Sequence, residues 1–363
     1  MSDLVPESGP QRLNTRPLFE LMVEKQASDL FFTAYAPVKV KIEGHLYPVN
    51  RQVLTPEMVR QAAYGLMTPE QVAYFERELE IDFAISEPGL GRFRVALFHQ
   101  RGCPAIVLRY ISADVPRLEK LGLPPVLADL VMHRRGLVLM VGAAGSGKST
   151  TLAAMLNHRN ETAPDHILTI EDPIEFVHAN KKSIINQREV GLDARSFGRA
   201  LRGAMRAAPD VVLIGEIRDR ETMESAIALA GTGHLCISTL HANNTAEAVE
   251  RIVNLFPRDQ HAQVFLDLSQ YLRAILAQRL VRDHEGRRVA AVEVLLNTPH
   301  IQELVKKGDV VGIKEGLRSS TETGMQSFDA ALMALVRSGR VPLEEALLHA
   351  DSRADLETRI NFG

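Results

Sequence analysis

The order of apolar and polar runs predicts an α/β chain: a mixed α+β segment, then a parallel sheet covered on both faces, then helices. Three observations carry this expectation. Residues 137–141, 167–170, 211–214 and 235–240 are short, continuous apolar runs, the pattern of strands buried on both sides. Helical patterns separate them, including 196–207 and 221–230. Ahead of residue 111 the pattern differs, with half-polar strand-like stretches interleaved with short helices.

The elements follow in order. Residues 1–14 are polar, with two prolines and a glycine, and read as a flexible tail. A first domain is expected over 15–111. It has a helix over 17–26, strands over 29–33, 38–42, 81–85 and 92–98, and helices over 56–67 and 69–79. Both of those helices open with proline after threonine, a start signal. Glu87-Pro88-Gly89-Leu90-Gly91 supplies a hairpin turn. Residues 112–122, which hold Pro116 and Gly122 and lead into Pro124-Pro125, read as a linker. A core follows over 123–298, and from 299 to 363 the chain reads as helices at 301–307, 327–337 and 343–349.

Composition narrows the function classes. The 363 residues are 45% hydrophobic and 24% charged, which fits a globular protein of two or three domains and excludes global disorder. A net charge of −3 argues against a dedicated nucleic-acid binder, so no nucleic-acid partner is expected. Cys103 and Cys236 are the two cysteines, too few for a disulfide scaffold or a four-cysteine zinc module. No apolar run reaches the ~18 residues of a membrane span, and the first residues lack the basic and apolar regions of a signal peptide. A cytoplasmic location is expected.

The strongest chemical signal is Gly142-Ala143-Ala144-Gly145-Ser146-Gly147-Lys148-Ser149, which fits G-x-x-x-x-G-K-[ST] between an apolar strand and a helical run. Glycines let successive backbone N–H groups turn toward a phosphate, and the helix N-terminus adds partial positive charge. Gly142, Gly145, Ser146, Gly147, Lys148, Ser149 and Thr150 are therefore the expected ATP-binding residues, with Ser149 a Mg²⁺ ligand. Such a loop needs acidic partners, and two sets stand at strand ends, where parallel sheets bind ligands. Glu216 ends the run Val211-Val212-Leu213-Ile214-Gly215, the Walker B arrangement, and is the expected second Mg²⁺ ligand. Glu171, Asp172 and Glu175 follow another strand, and any one of them is a candidate base. His241 follows the strand at 235–240 and is placed to donate to a γ-phosphate, whereas His234 opens that strand at the opposite end. Arg218 lies close to Glu216 in sequence. Arg92 and Arg94 share one face of a first-domain strand, with Arg109 beyond, and suit a clamp over a triphosphate.

Taken together these segments resemble the secretion-type ATPases, and within them the type IV pilus retraction motors of the PilT and PilU group. The resemblance covers residues 17–350. It is carried by Ala27-Ser28-Asp29-Leu30, Gly91-Arg92-Phe93-Arg94, the phosphate loop, the acidic box 169–175, Ile214-Gly215-Glu216-Ile217-Arg218-Asp219, and Thr232-Gly233-His234 with Thr239-Leu240-His241. It implies a PAS-like first domain, a RecA-like second domain and a homo-hexameric ring. It implies Glu175 as catalytic base, Glu216 as Walker B acid, His234 and His241 as active-site histidines, and Arg92, Arg94 and Arg109 as clamp candidates. Departures at Ala242-Asn243-Asn244 and at Arg206-Ala207-Ala208-Pro209-Asp210 resemble the PilU branch, and 301–308 also departs from the stretch the PilT branch carries. The implied activity is Mg²⁺-dependent ATP hydrolysis that powers or assists pilus retraction. The implied partners are a PilT-like motor subunit and a platform protein at the cytoplasmic face of the inner membrane. Two rivals stand beside it: a nucleotide-binding accessory subunit with little turnover, and a DNA-translocating ATPase.

Overall fold

The structure, a computed structural model, describes residues 15–42, 44–111, 114–320 and 322–362. The tail expected over 1–14 lies outside the described residues, as do residues 112 and 113 of the expected linker. The chain divides between residues 113 and 114 into two compact units.

In the first unit α1 (Arg16–Glu24) leads into β1 (Asp29–Phe32), β2 (Pro37–Ile42) and β3 (His45–Val53). Helices α2 (Pro56–Leu66) and α3 (Pro69–Glu78) follow, then β4 (Glu80–Glu87), β5 (Gly91–Gln100) and β6 (Cys103–Ile111). Thr55 Oγ1 accepts the Met58 N–H, and Thr68 with Gln71 forms a reciprocal cap, so the two Thr-Pro signals do start helices. Among the described residues the strands form one six-stranded sheet, β3-β2-β1-β6-β5-β4, antiparallel throughout. Period-two alternation puts Phe93, Val95 and Leu97 of β5 into the core and Arg92 and Arg94 on the opposite face. Phe19 stacks on Phe93 at 4.7 Å between ring centres, and Tyr110 tilts against it at 5.4 Å. Sequence patterning missed two strands here. β3 is exposed along nearly all of its length, and β6 carries Pro104, a residue that argues against a strand reading.

The second unit opens with a 3₁₀ turn (Leu118–Leu121) and α4 (Val126–Val131). Leu118 is buried against Leu127 and Leu130, so the later part of the expected linker packs as part of this unit. The chain continues through β7 (Gly136–Val141), α5 (Lys148–Thr162), β8 (His166–Glu171), β9 (Ile184–Glu189), α6 (Phe197–Ala204) and β10 (Val211–Ile214). Then come α7 (Arg220–Gly231), β11 (Leu235–Leu240), α8 (Thr245–Asn254), α9 (His261–Tyr271), β12 (Leu272–Arg282) and β13 (Arg288–Leu296). Helices α10 (Pro299–Lys307), α11 (Val310–Arg318), α12 (Phe328–Arg337), α13 (Leu343–His349) and α14 (Arg353–Phe362) complete it.

Among the described residues the strands form a seven-stranded sheet, β13-β12-β7-β11-β10-β8-β9, parallel except for the β12–β13 hairpin. The continuous apolar runs now have a cause. On β7, Leu137, Leu139 and Val141 face one core and Val138 and Met140 the other. On β11, Cys236 and Leu240 divide in the same way from Leu235 and Ile237. β12 pairs with β7 through an irregularity between Leu272 and Ala274, which sets the phase of everything after it. The C-terminal helices are tied to this sheet by Arg279. Its guanidinium lies 3.8 Å over the Phe328 ring, 2.8 Å from an Asp351 oxygen, and donates to the His349 carbonyl at 2.7 Å. No helix among the described residues is long and apolar enough to cross a membrane.

Phe93 is fully buried and central to the first unit. Phe93→Ala should destabilise that unit by about 3–5 kcal/mol. Urea unfolding of the full chain should then show an early transition that the parent lacks.

Candidate active site

Four strand ends build one cavity of about 270 Å³ in the second unit. β7 leads into the phosphate loop, which lines one side together with the first turn of α5. The loop closes because Gly142 and Gly147 hold positive φ values of 149° and 86°. A Cβ at Gly142 would fall 2.6 Å from the Gln278 carbonyl and from Ser146 Oγ, and one at Gly147 would meet the Gln278 amide at 2.7 Å. Gln278 on β12 is buried beneath the loop. Its Nε2 donates to the Ser146 carbonyl at 2.8 Å and its Oε1 accepts from Thr151 Oγ1 at 2.8 Å. Ser146 Oγ is buried within the loop without a hydrogen-bond partner.

Lys148 Nζ donates to the carbonyls of Gly142 and Ala143 at 2.8 and 2.9 Å. Half-burial lowers its pKa, while the charges of Glu216 and Glu175 pull the other way. Those carboxylates are therefore close enough to be felt at the ammonium. Glu216 stands two residues beyond β10 and is only 18% exposed. One of its oxygens lies 2.8 Å from His241 Nε2 and the other 2.7 Å from Arg218 Nε. The strand ends beneath are cross-linked: Gly215 N–H donates to the Ile170 carbonyl at 2.8 Å, and Thr239 Oγ1 donates to the Gly215 carbonyl at 2.7 Å.

The acidic box divides by burial. Glu171 turns inward, accepts from Thr169 Oγ1 at 2.6 Å, and has its pKa raised chiefly by burial. Asp172 and Glu175 are exposed, and all three line the cavity. His178, also lining it, is mostly buried with its Nδ1 unpartnered. Burial, with Lys181 nearby, lowers its pKa to about 4.

Ser149, Lys148, Gly145, Glu171, Asp172, Glu175, Glu216, Arg218 and His241 thus meet at one cavity. His234 stands apart at the other end of β11, beside Thr232 Oγ1 at 3.2 Å and the Leu229 carbonyl at 3.3 Å. Arg92, Arg94 and Arg109 belong to the first unit. Arg109 Nε donates to buried Asp29 at 2.8 Å, and Arg94 lies 3.5 Å from Asp82. Gln278, Gln187 and His178 are site residues that motif reading missed. A polar amide inside the apolar run of β12 was the available signal for Gln278. Asn244 accounts for one departure from the PilT pattern: its side chain accepts the Glu247 N–H at 2.8 Å and caps α8, work a hydroxyl residue also does.

A glycine loop opening a helix at a parallel strand end, with carboxylates on adjacent strand ends, defines a P-loop nucleotide-binding protein. Residues 8–348 match the family described as Type II/IV secretion system protein, and the chain belongs to that family. Type IV pilus ATPase PilU of Pseudomonas aeruginosa is 50% identical over 347 residues, covering 95% of this chain and 91% of that one. Type IV pilus retractation ATPase PilT of the same organism is 41% identical over 329 residues, 91% and 96% of the two chains. A crystal structure of the pilus retraction motor PilT with bound ADP superposes with a TM-score of 0.88 at 38% identity, covering 94% and 98%. That likeness bears out the expectation of an α/β chain with an N-terminal domain ahead of a RecA-like ATPase domain. The higher identity to PilU agrees with the branch implied by the sequence departures.

His178 gives the site a pH signature. Its folded pKa of about 4 lies below the 6.5 of an unperturbed histidine, so the unfolded chain takes up the proton first as pH falls. The stability it contributes is complete above pH 6.5 and is lost between there and about 4. The urea midpoint of the parent should therefore fall more steeply over this window than that of His178→Asn. A constant gap between the two would contradict the assignment.

Proposed function

We propose that the chain is a Mg²⁺-dependent ATP hydrolase that drives or assists type IV pilus retraction, acting as a hexameric ring of identical subunits. The observation that carries this reading is the meeting, at one cavity, of the phosphate-loop Lys148, the half-buried strand-end Glu216 and the exposed Glu175. Lys148 and the loop N–H groups hold the β and γ phosphates, the lysine exchanging the Gly142 and Ala143 carbonyls for phosphate oxygens. Ser149 and Glu216 suit Mg²⁺, which takes one or two protein oxygens beside phosphates and water. Once bound, the ion would draw charge from the phosphate oxygens. Glu175 orients and deprotonates the attacking water. His241, bonded to Glu216, donates to the γ-phosphate, so loss of that phosphate is felt at the Walker B acid.

On this reading Arg92, Arg94 and Arg109 of the first unit are the clamp candidates; Arg94 and Arg109 lie opposite each other in the β5–β6 register, each beside a carboxylate, Asp82 and Asp29. The partners of this reading are other copies of the chain, a PilT-type motor subunit, and a platform protein at the cytoplasmic face of the inner membrane. The similarity to PilU favours the assisting role.

The deciding measurement is Mg²⁺-ATP hydrolysis across a wide range of protein concentration. Specific activity that rises with concentration supports a ring whose sites are completed by neighbours. A background rate with retained ATP binding supports a nucleotide-binding accessory subunit instead. Lys148→Ala should abolish both binding and turnover, whereas Glu175→Gln should keep binding and lower kcat by about 10²–10⁴-fold. Replacing Arg92 and Arg94 together by alanine should lower kcat more than nucleotide affinity, measured by titration with a fluorescent ATP analogue. Unchanged turnover would remove the clamp from the mechanism.

A further inference from the structure

Glu175 is exposed, on a loop that runs from the end of β8 along β9, yet the backbone on either side of it is held in place. The holding groups come from β9, the edge strand of the seven-stranded sheet. Gln187 and Glu189 sit at alternate positions of that strand and so share a face. Glu189 Oε2 accepts the N–H of Ile174, the residue before Glu175, at 3.3 Å. Gln187 Nε2 donates to the carbonyl of Phe176, the residue after it, at 2.8 Å. Gln187 Oε1 accepts the N–H of His178 at 2.8 Å, and Nε2 also reaches Glu171 Oε1 at 3.3 Å. The strand that provides these groups is itself locked to β8, with Thr169 opposite Gln187 and Glu171 opposite Glu189.

We propose that Gln187 is a positioning residue for ATP hydrolysis: its amide fixes the backbone next to Glu175, so that the carboxylate stands at a set distance from the γ-phosphate. The proposal rests on the reading of Glu175 as the base. Both ends of the Gln187 amide are used on one loop, so no single-ended replacement reproduces the hold. Phosphate binding lies elsewhere, with Lys148 and the glycine loop, and stays intact when Gln187 changes. A displacement of about 1 Å at a reacting group costs on the order of 10²-fold in rate.

The test is single-turnover hydrolysis, with protein in excess over ATP, for the parent, Gln187→Met, Glu175→Gln and the double variant, alongside direct ADP titration and thermal unfolding. Gln187→Met keeps the side-chain length and removes both hydrogen-bonding ends. It should slow the chemical step about 10–100-fold while ADP affinity stays within about twofold of the parent. On the Glu175→Gln background it should change the residual rate less than about twofold, because its effect passes through Glu175. A parental rate in Gln187→Met overturns the proposal, as do losses that multiply in the double variant. If Glu175→Gln alone keeps the parental rate, the base reading itself fails and the proposal falls with it. Should Gln187→Met fail to fold, Gln187→Glu retains the acceptor for His178 and loses the donor to both Phe176 and Glu171, with a second carboxylate set beside Glu171. That variant should also slow the chemical step with ADP affinity retained, and a parental rate there overturns the proposal.

Discussion

Burial of β7, β11 and β10 on both faces is the constraint from which the rest of the second unit follows. A strand covered on each side has no room for a charged side chain along its length. Polar chemistry is therefore confined to the strand ends. There β11 and β10 are cross-linked by hydroxyls that stay within the sheet, such as Ser238 Oγ donating to the Ile214 carbonyl at 2.8 Å. Glu216 and His241 follow β10 and β11, and Glu171 is the last residue of β8 beside β10, so their separation is set by strand spacing more than by loop conformation. This is why a site made of residues scattered over a hundred positions can be as rigid as the core below it.

Buried polar groups extend that rigidity outward. Glu293 on β13 accepts the Thr245 N–H at 2.8 Å, the Thr245 hydroxyl at 2.9 Å and the Phe328 N–H at 3.4 Å. It thereby joins the start of α8 to the start of α12, and its burial raises its pKa. Arg279 on the neighbouring strand donates to the carbonyl of Asn243, two residues past His241, at 3.2 Å, and also holds the loop after α13. The loop carrying His241 and the C-terminal helices are thus attached to the same pair of strands. A shift in one has a short covalent and hydrogen-bonded route to the other.

Much of this was legible in the sequence because the relevant physics is local. The phosphate loop, the Walker B strand and the Thr-Pro helix starts depend on residues a few positions apart, and each lies where pattern reading puts it. The fully buried strands 211–214 and 235–240 match residue for residue. Elements whose stability comes from partners distant in sequence were not legible. β9 is half polar because it is an edge strand, and β12 carries Gln278, Arg279 and Arg282, so its apolar period is broken. The same residues that hid these strands are the ones that serve the site: Gln187 and Glu189 on one, Gln278 on the other. Strand position in the sequence already set His241 and His234 at opposite ends of β11, and in the structure His241 lines the cavity while His234 lies beside Thr232 and Leu229.

Gln278 and Arg279 are adjacent, so their side chains leave β12 on opposite faces of the sheet. One supports the phosphate loop and the other supports the C-terminal helices. Which residue faces which way is decided upstream, at the irregularity between Leu272 and Ala274. Losing one residue there would invert the strand, presenting a guanidinium to the floor of the phosphate loop and an amide to Asp351. Length variation is therefore tolerable in the 283–287 turn but not at this bulge, which acts as the reading frame of the whole hairpin.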